Sequence, residues 1–214
     1  MRMHCIWDFN GTLLCDVQLA LEADNRVLAQ MGKAPITLET YRRYMRNPLP
    51  GFYADIGCDL NAYSYEWINR EFLDYFNPRV VEAGLMPGTL ALLQALCDQG
   101  ATHSILSSSY EPSLIAQANA LGLTPYMRAM TGMLSDLGER KEARGMHQLA
   151  LLGVNREQAV LIGDTTTDAL VARHMDVRCV LVSWGHNART QLEACGVPVA
   201  DTHAQLLSIL KTIC

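Results

Sequence analysis

Five short apolar runs, separated by helical patterns, constrain the fold of this chain most strongly. The runs cover residues 3–7, 102–106, 127–131, 159–162 and 178–182. Runs of this kind are typical of strands that are buried on both faces of a sheet. Strands that alternate with helices predict βαβ units and a mostly parallel sheet with right-handed crossovers.

The segments between these runs have helical character. Residues 87–99 repeat leucine at helical spacing and end at Gly100. Residues 142–152 end in the same way at Gly153, and glycine is the residue most often found just after a helix. The sequence therefore predicts an α/β fold.

The interval that follows the first run differs from the rest of the chain. It has helical periodicity without a good candidate for a parallel strand, and ten of the fifteen aromatic residues lie between Tyr41 and Phe76. We expect a helical cap domain at residues 16–83, inserted into a core domain made of residues 1–15 and 84–214.

Composition excludes several classes of protein. The 17 basic and 22 acidic residues give a net charge of −5, which argues against a nucleic-acid surface. Half of the residues are hydrophobic, which excludes a disordered chain, yet no apolar run reaches the ~18 residues of a membrane span. The seven cysteines form no CxxC pair, so we expect reduced thiols in a cytoplasmic protein. Nothing in the sequence predicts the oligomeric state.

Four motifs lie where a parallel sheet would form a ligand site. They are the segment 8–12 (DFNGT), Ser107, Lys141 and the segment 163–168 (GDTTTD). Three of them follow or end predicted strands, and Lys141 opens a predicted helix. Because ligands bind at the carboxyl ends of the strands in open parallel sheets, we expect the four motifs to meet there.

These residue types suit phosphate chemistry. A phosphate monoester repels an approaching carboxylate, so a cation must neutralise the site. Asp8 and Asp164 supply hard oxygen ligands that suit Mg²⁺, and Asp8 can then attack phosphorus to form an aspartyl-phosphate. Asp168 lies in the first turn of a predicted helix, where the helix dipole favours a carboxylate. Gly11 permits a backbone turn that lets the phosphate approach closely.

The order and placement of the motifs resemble those of the haloacid dehalogenase superfamily of phosphohydrolases, over nearly the whole chain. The resemblance implies a Rossmann-like core with strand order 5-4-1-2-3 and a helical cap of the C1 type. The run DFNGTL, the segment 41–44 (YRRY), Pro48 and Tyr53 are similar to the phosphoglycolate-phosphatase-like group of that superfamily. The expected substrate is a small phosphorylated metabolite, hydrolysed with Mg²⁺ as the cofactor.

The resemblance also implies which residues hold the metal ion. Asp8 would be both nucleophile and Mg²⁺ ligand. The backbone carbonyl of Asn10 and the side chain of Asp164 would complete the protein ligands, and Asp168 would act directly or through water.

Other residues would bind the phosphoryl group. Lys141 would pair with Asp8 and with the phosphoryl oxygens, where it would stabilise charge in the transition state. Ser107 and the backbone amide of Ser108 would donate hydrogen bonds to the same oxygens.

Asn10 departs from the usual pattern of the superfamily. Most members carry a second Asp there, which protonates the leaving group and then activates water; an amide cannot exchange this proton. Such a group is typically worth roughly 10²–10⁴-fold in rate. Good leaving groups would still be hydrolysed, or another group would substitute. His186 is the nearest candidate by topology, although a structural role for it is favoured. The rival hypothesis is a binding or regulatory protein with a degenerate site.

The predicted cap offers a further set of candidate substrate ligands. Arg42 and Arg46 are four residues apart and share a helix face, so they could contact an anionic leaving group. A solvated helix face is an equally good interpretation of this pair.

Two other activities fit the sequence less well. Phosphonoacetaldehyde hydrolase also lacks the second Asp but needs a cap lysine for an imine, and the one cap lysine, Lys33, lies in a turn that looks exposed. A receiver-like phosphoacceptor domain would fit neither the long insert after the first strand nor the GDTTTD segment.

Overall fold

The computed structural model describes residues 3–134 and 140–213. Its strands are β1 (His4–Trp7), β2 (Thr102–Tyr110), β3 (Met127–Met133), β4 (Ala159–Gly163), β5 (Arg178–Val182) and β6 (Val199–Ala200). Its α-helices are α1 (Val17–Gln30), α2 (Leu38–Tyr44), α3 (Leu49–Asp55), α4 (Tyr65–Phe76), α5 (Val80–Ala83), α6 (Thr89–Asp98), α7 (Glu111–Ala120), α8 (Lys141–Leu152), α9 (Thr166–Met175), α10 (Arg189–Glu193) and α11 (His203–Ile213).

The strands form one parallel sheet with the order β3-β2-β1-β4-β5-β6. This arrangement confirms the α/β class and the predicted order 5-4-1-2-3, which β1 to β5 follow. The short strand β6 extends the sheet beside β5 and was not predicted. Strand β2 continues to Tyr110, so Ser107 lies within the strand rather than at its end.

The central strands are apolar because helices cover both of their faces. Every residue of β1 and β4 is buried. On one face, Ile6 and Leu161 belong to a cluster with Met175 of α9, and on the other face Trp7 belongs to a cluster with Leu93 of α6. Burial on both faces explains why these strands are continuous apolar runs rather than alternating patterns.

The register of the sheet brings the ends of β1 and β4 to one level, beside the middle of β2. Trp7 at the end of β1 pairs with Ile105 of β2 and with Ile162 of β4. The amide of Asp8 continues this ladder by donating to the carbonyl of Ile162 at 2.8 Å. The residues that follow these strands therefore meet at the carboxyl edge of the sheet.

Helices α1 to α5 occupy the interval between β1 and β2 in which the cap was predicted. Helix α1 packs against α4, and Tyr41 and Phe52 are buried among these helices. Their buried residues join one apolar cluster with Trp7 and Phe9. The division into a core of residues 1–15 and 84–214 and a cap of residues 16–83 therefore stays a prediction.

Two observations bear on the expectations drawn from composition. None of the described helices is both long enough and apolar enough to cross a bilayer. The cysteines of the described part of the chain are free thiols: Cys5, Cys15, Cys58, Cys97, Cys179 and Cys195.

Helix α8 is tied to the sheet by one buried amide side chain. Nε2 of Gln148 donates to the carbonyl of Ile105 and to Oγ1 of Thr131, each at 2.8 Å. Oε1 of Gln148 accepts from Oγ of Ser104 at 2.9 Å. Because α8 begins at Lys141, this network helps to fix the helix that carries Lys141 against the sheet.

We expect Gln148→Leu to lower the free energy of unfolding by roughly 1–3 kcal/mol, because it removes three hydrogen bonds from buried groups of β2 and β3. Urea denaturation measures this change. Leu151→Ala is the matched control on the exposed side of α8, with an expected change of about 0.5 kcal/mol or less. Equal losses in the two variants would contradict the proposed anchoring of α8.

Candidate active site at the carboxyl edge of the sheet

An ammonium group joins two carboxylates at the carboxyl edge of the sheet. Nζ of Lys141, at the start of α8, donates to Oδ1 of Asp8 at 2.6 Å and to Oδ1 of Asp168 at 2.7 Å. Asp8 follows β1, and Asp168 lies in the first turn of α9. The side chains of Lys141 and Asp168 are almost completely buried, so these ion pairs are shielded from water.

A third carboxylate, from Asp164, completes an acidic cluster with Asp8 and Asp168. One ligand oxygen of each residue lies within 4.8 Å of the other two. Several carboxylate oxygens that converge at this spacing match the ligands preferred by hard divalent cations. The donor set therefore fits a divalent metal ion, and these are three of the four residues predicted to hold one.

Neighbouring groups fix the orientation of two of these carboxylates. Oδ1 of Asp164 accepts from Oγ1 of Thr12 at 2.8 Å, and its Oδ2 accepts from the amide of His186 at 2.6 Å. Oδ2 of Asp168 accepts from the amide and the hydroxyl of Thr165 in a capping box at the start of α9. Hydrogen bonds of this kind orient metal ligands before the ion binds.

The charges in the cluster are strongly coupled. Burial raises the pKa of Asp8 to about 8; Lys141 opposes this rise, whereas the charges of Asp168 and Asp164 add to it. Burial likewise raises the pKa of Asp164 to about 6, against the influence of His186. Burial alone would lower the pKa of Lys141, but the carboxylates of Asp168 and Asp8 raise it above its ordinary value. The ammonium of Lys141 thus cannot balance the charge of all three carboxyl groups when they are ionised.

Asn10 is held at both ends of its side chain. Nδ2 donates to Oδ2 of Asp16 at 2.8 Å, and Oδ1 accepts from Oγ of Ser109 at 2.8 Å. The other oxygen of Asp16 accepts from the amide of Gly11 at 2.7 Å. A carboxylate at position 10 would lie against the carboxylate of Asp16 and repel it. The amide of Asn10 instead donates a hydrogen bond to that carboxylate.

Gly11 is required by two independent features of this loop. Its φ of 70° lies in the left-handed region that favours glycine. A Cβ atom at this position would also overlap with the carboxylate of Asp164 and the ring of His186.

Ser107 and Ser108 line the same cavity as Asp8 and Lys141. Oγ of Ser107 accepts from the amide of Ser109 at 3.0 Å. The carbonyl of Ser107 accepts from Nη2 of Arg144 at 3.1 Å. The structure thus brings both serines to the predicted site; their roles there stay predictions.

His186 lies beside the site within a buried network. Its Nδ1 is 2.7 Å from the hydroxyl of Tyr41, and its Nε2 is 3.5 Å from Oδ1 of Asp16. Burial lowers its pKa, but Asp16 and Asp164 outweigh this effect and raise the pKa to about 9. These contacts link the loop after β5 to α2 and to the loop after β1.

The two arginines predicted as substrate ligands have different positions. Nε and Nη2 of Arg42 donate to the carbonyls of Gly185 and Trp184, at 2.9 and 2.8 Å, so this side chain joins α2 to the loop after β5. Arg42 is absent from the cavity lining in the described part of the chain. Arg46 does line the cavity, where Nε pairs with Asp55 at 2.7 Å.

The cavity has a volume of about 1130 Å³ and extends from the carboxylate cluster into the helices α1 to α4. Sequence reasoning missed Asp16, Ser109 and Asp24 among its lining residues. Asp16 stands at the start of α1, where an Asp is ordinarily interpreted as a helix cap. Its side chain makes no capping hydrogen bond, because it binds Asn10 and Gly11 instead.

Comparisons with known proteins agree on one family. The family model for haloacid dehalogenase-like hydrolases matches residues 5–182. A phosphoglycolate phosphatase from Caulobacter vibrioides is 30% identical over 188 residues, which cover 84% of this chain and 78% of the relative.

Two solved structures share the fold. A haloacid dehalogenase-like family hydrolase from Streptococcus pneumoniae has a TM-score of 0.80 at 20% identity and covers 98% of both chains. A hydrolase of the same family from Deinococcus radiodurans, with bound phosphate and sodium, has a TM-score of 0.76 at 18% identity. The match covers 99% of this chain and 96% of the chain in that structure.

We expect the stabilisation of the fold by MgCl₂ to increase with pH. Folding raises the pKa of Asp8 from 3.8 to about 8, so the stability that its protonated form contributes is lost as the pH rises through this window. A divalent cation favours the ionised cluster, so it should raise Tm more at about pH 8 than at about pH 5.5.

Thermal unfolding with and without the salt measures the effect. Asp164→Asn should remove most of the gain in Tm, whereas Asp176→Asn, the same change at an exposed residue after α9, should keep it. A gain that is independent of pH, or one that survives Asp164→Asn, would contradict a metal site at this cluster.

Proposed function

Since the chain belongs to the haloacid dehalogenase-like hydrolase family, we propose that it is a Mg²⁺-dependent phosphatase that hydrolyses a small phosphomonoester through an aspartyl-phosphate on Asp8. The phosphoglycolate phosphatases among its relatives support hydrolysis of a phosphomonoester. The observation that carries the proposed mechanism is the pairing of Lys141 with Asp8 and Asp168 beside Asp164.

In the first step, a carboxylate oxygen of Asp8 attacks phosphorus and the bond from phosphorus to the leaving oxygen breaks. Lys141 holds the nucleophile by a 2.6 Å hydrogen bond and lies where it can contact the phosphoryl oxygens. Ser107 and the amide of Ser108 donate to the same oxygens in this proposal. A water molecule then attacks phosphorus and releases a proton, the bond to Asp8 breaks, and phosphate leaves. The released proton balances the alkoxide that left in the first step.

The side chains of Asp8 and Asp164, the carbonyl of Asn10, and Asp168 directly or through water would hold Mg²⁺. The bound ion would neutralise the carboxylates and the phosphate, so that an anionic nucleophile can approach an anionic substrate. Thr12, Thr165 and the amide of His186 orient these ligands in advance.

Because position 10 carries no acid, we expect the rate to depend on the acidity of the alcohol that leaves. Asn10 is an amide, which does not release a proton near neutral pH, and its side chain is bound to Asp16 and Ser109 rather than free to contact a leaving oxygen. We therefore expect esters of acidic alcohols to be hydrolysed faster than esters of simple alkyl alcohols.

Turnover of p-nitrophenyl phosphate with Mg²⁺ tests the proposed function. Asp8→Asn should lower kcat by about a thousandfold or more, because it removes the nucleophile. Activity that Asp8→Asn leaves untouched would refute the mechanism. Phosphate binding without turnover in the wild-type protein would favour the rival hypothesis of a ligand-binding or regulatory protein.

The contact between Asn10 and Asp16 predicts how an acid can be restored. Asn10→Asp alone places two carboxylates in contact, whereas the double variant Asn10→Asp/Asp16→Asn exchanges the two groups and keeps the hydrogen bond. On an alkyl phosphate, we expect the double variant to exceed Asn10→Asp by roughly tenfold or more in kcat/KM. If Asn10→Asp alone is as active as the double variant, the contact does not control position 10.

A further inference from the structure

A buried carboxylate lies in the cavity at a distance from the phosphate site. Asp24 of α1 is 1% exposed, and it lines the cavity that also contains Asp8 and Lys141. Its Oδ1 accepts a hydrogen bond from the hydroxyl of Tyr53 at 2.7 Å. Within residues 3–134 and 140–213, no Lys or Arg forms an ion pair with Asp24, and Tyr53 is its hydrogen-bond partner.

The position of Asp24 follows from the spacing along α1. Asp16, Ala20 and Asp24 are four residues apart, so they share one face of the helix, and all three line the cavity. Eight residues of helix span about 12 Å between Asp16 and Asp24. Since Asp16 binds the loop that follows Asp8, Asp24 lies about two turns of α1 farther along the helix from that loop, and we place the far end of a bound ester there.

The surroundings of Asp24 suit a cationic or hydroxylated group. The ring of Tyr53 contacts the rings of Phe52 and Tyr65, and Phe52 contacts Tyr41. All four rings line the cavity, and aromatic faces attract cations. Burial raises the pKa of Asp24 to about 7, and the hydrogen bond from Tyr53 and the charge of His186 oppose this rise without cancelling it. A buried carboxylate without a cation is costly, and a ligand that donates a hydrogen bond would offset this cost.

Other charged side chains near the cavity already have partners. Arg46 pairs with Asp55, and Arg70 pairs with Glu71. Both arginine side chains are more than half exposed. They therefore lie at the rim. The charge of His186 does act on Asp24, but this ring already faces Asp16, with Nε2 at 3.5 Å from Oδ1.

We propose that Asp24 selects the leaving group, and that the substrate is a phosphomonoester of an extended alcohol whose far end carries a hydrogen-bond donor, bound best as an ammonium. This inference rests on the proposed phosphatase activity and narrows its substrate class. The cavity volume of about 1130 Å³ leaves room for a leaving group far larger than a two-carbon acid. A carboxylate at the far end would meet a like charge at Asp24.

Binding of non-hydrolysable phosphonates tests the inference independently of turnover. Isothermal titration calorimetry with MgCl₂ compares ω-aminoalkyl, ω-hydroxyalkyl and ω-carboxyalkyl phosphonates with chains from about two to about eight carbons, which bracket the 12 Å span. At the best length we expect the amino compound to bind about tenfold or more tightly than the carboxy compound, a ratio typical of a charge-assisted hydrogen bond. The hydroxy compound should lie between them.

Three variants test whether the carboxylate of Asp24, rather than the overall negative charge of the cavity, determines the preference for the amino compound. Asp24→Asn should reduce the ratio of amino to carboxy affinities to about threefold or less, whereas Tyr53→Phe should keep a clear preference for the amino compound. Glu22→Gln, which removes an exposed charge from the same helix, should leave the ratio unchanged.

A carboxy compound that binds as well as the amino compound, or a ratio that Asp24→Asn does not alter, would overturn the inference. A purely structural role of Asp24 would change both affinities in parallel and leave their ratio the same. Hydrolysis of p-nitrophenyl phosphate in the same preparations reports separately on the proposed function, so failure of one is distinguishable from failure of the other.

Discussion

The site depends on the concentration of three buried carboxylates at one edge of a parallel sheet. Asp8, Asp164 and Asp168 converge because the ends of β1 and β4 are level in the sheet and α9 starts directly after β4. Such crowding of like charges is unfavourable unless cations compensate it. The ammonium of Lys141 supplies part of this compensation, which leaves the cluster poised to accept a divalent ion and a phosphoryl group.

Asn10, at the position where an acid is usual, belongs to a hydrogen-bond network that extends beyond its own loop. Asp16 accepts hydrogen bonds from Asn10 and Gly11 and lies beside His186, whose ring also contacts Tyr41. The same network therefore connects the nucleophile loop, the helical segment and the loop after β5. A carboxylate at position 10 would act on all three through its contact with Asp16.

Much of the core could be predicted because its strands are short apolar runs. Candidate catalytic residues follow some of these runs directly, as Asp8 follows β1. The two-residue strand β6 leaves too short a pattern to detect, and the polar end of β2 at Ser107 is typical of a loop. The position of Arg42 depends on carbonyls about 140 residues away, which no local pattern reveals. Asp24 was missed because a lone acid on an amphipathic helix ordinarily faces solvent, whereas here α1 turns it toward the cavity.

A crystal structure with Mg²⁺ and beryllium trifluoride, which mimics a phosphoryl group on a carboxylate, tests the central claim most directly. We expect the beryllium on a carboxylate oxygen of Asp8, with Lys141 and Ser107 on the fluorine atoms. We also expect Mg²⁺ on Asp8, Asp164 and the carbonyl of Asn10. A trifluoride on another residue, or a metal ion bound away from Asp164 with Lys141 turned out of the cluster, would contradict the central claim.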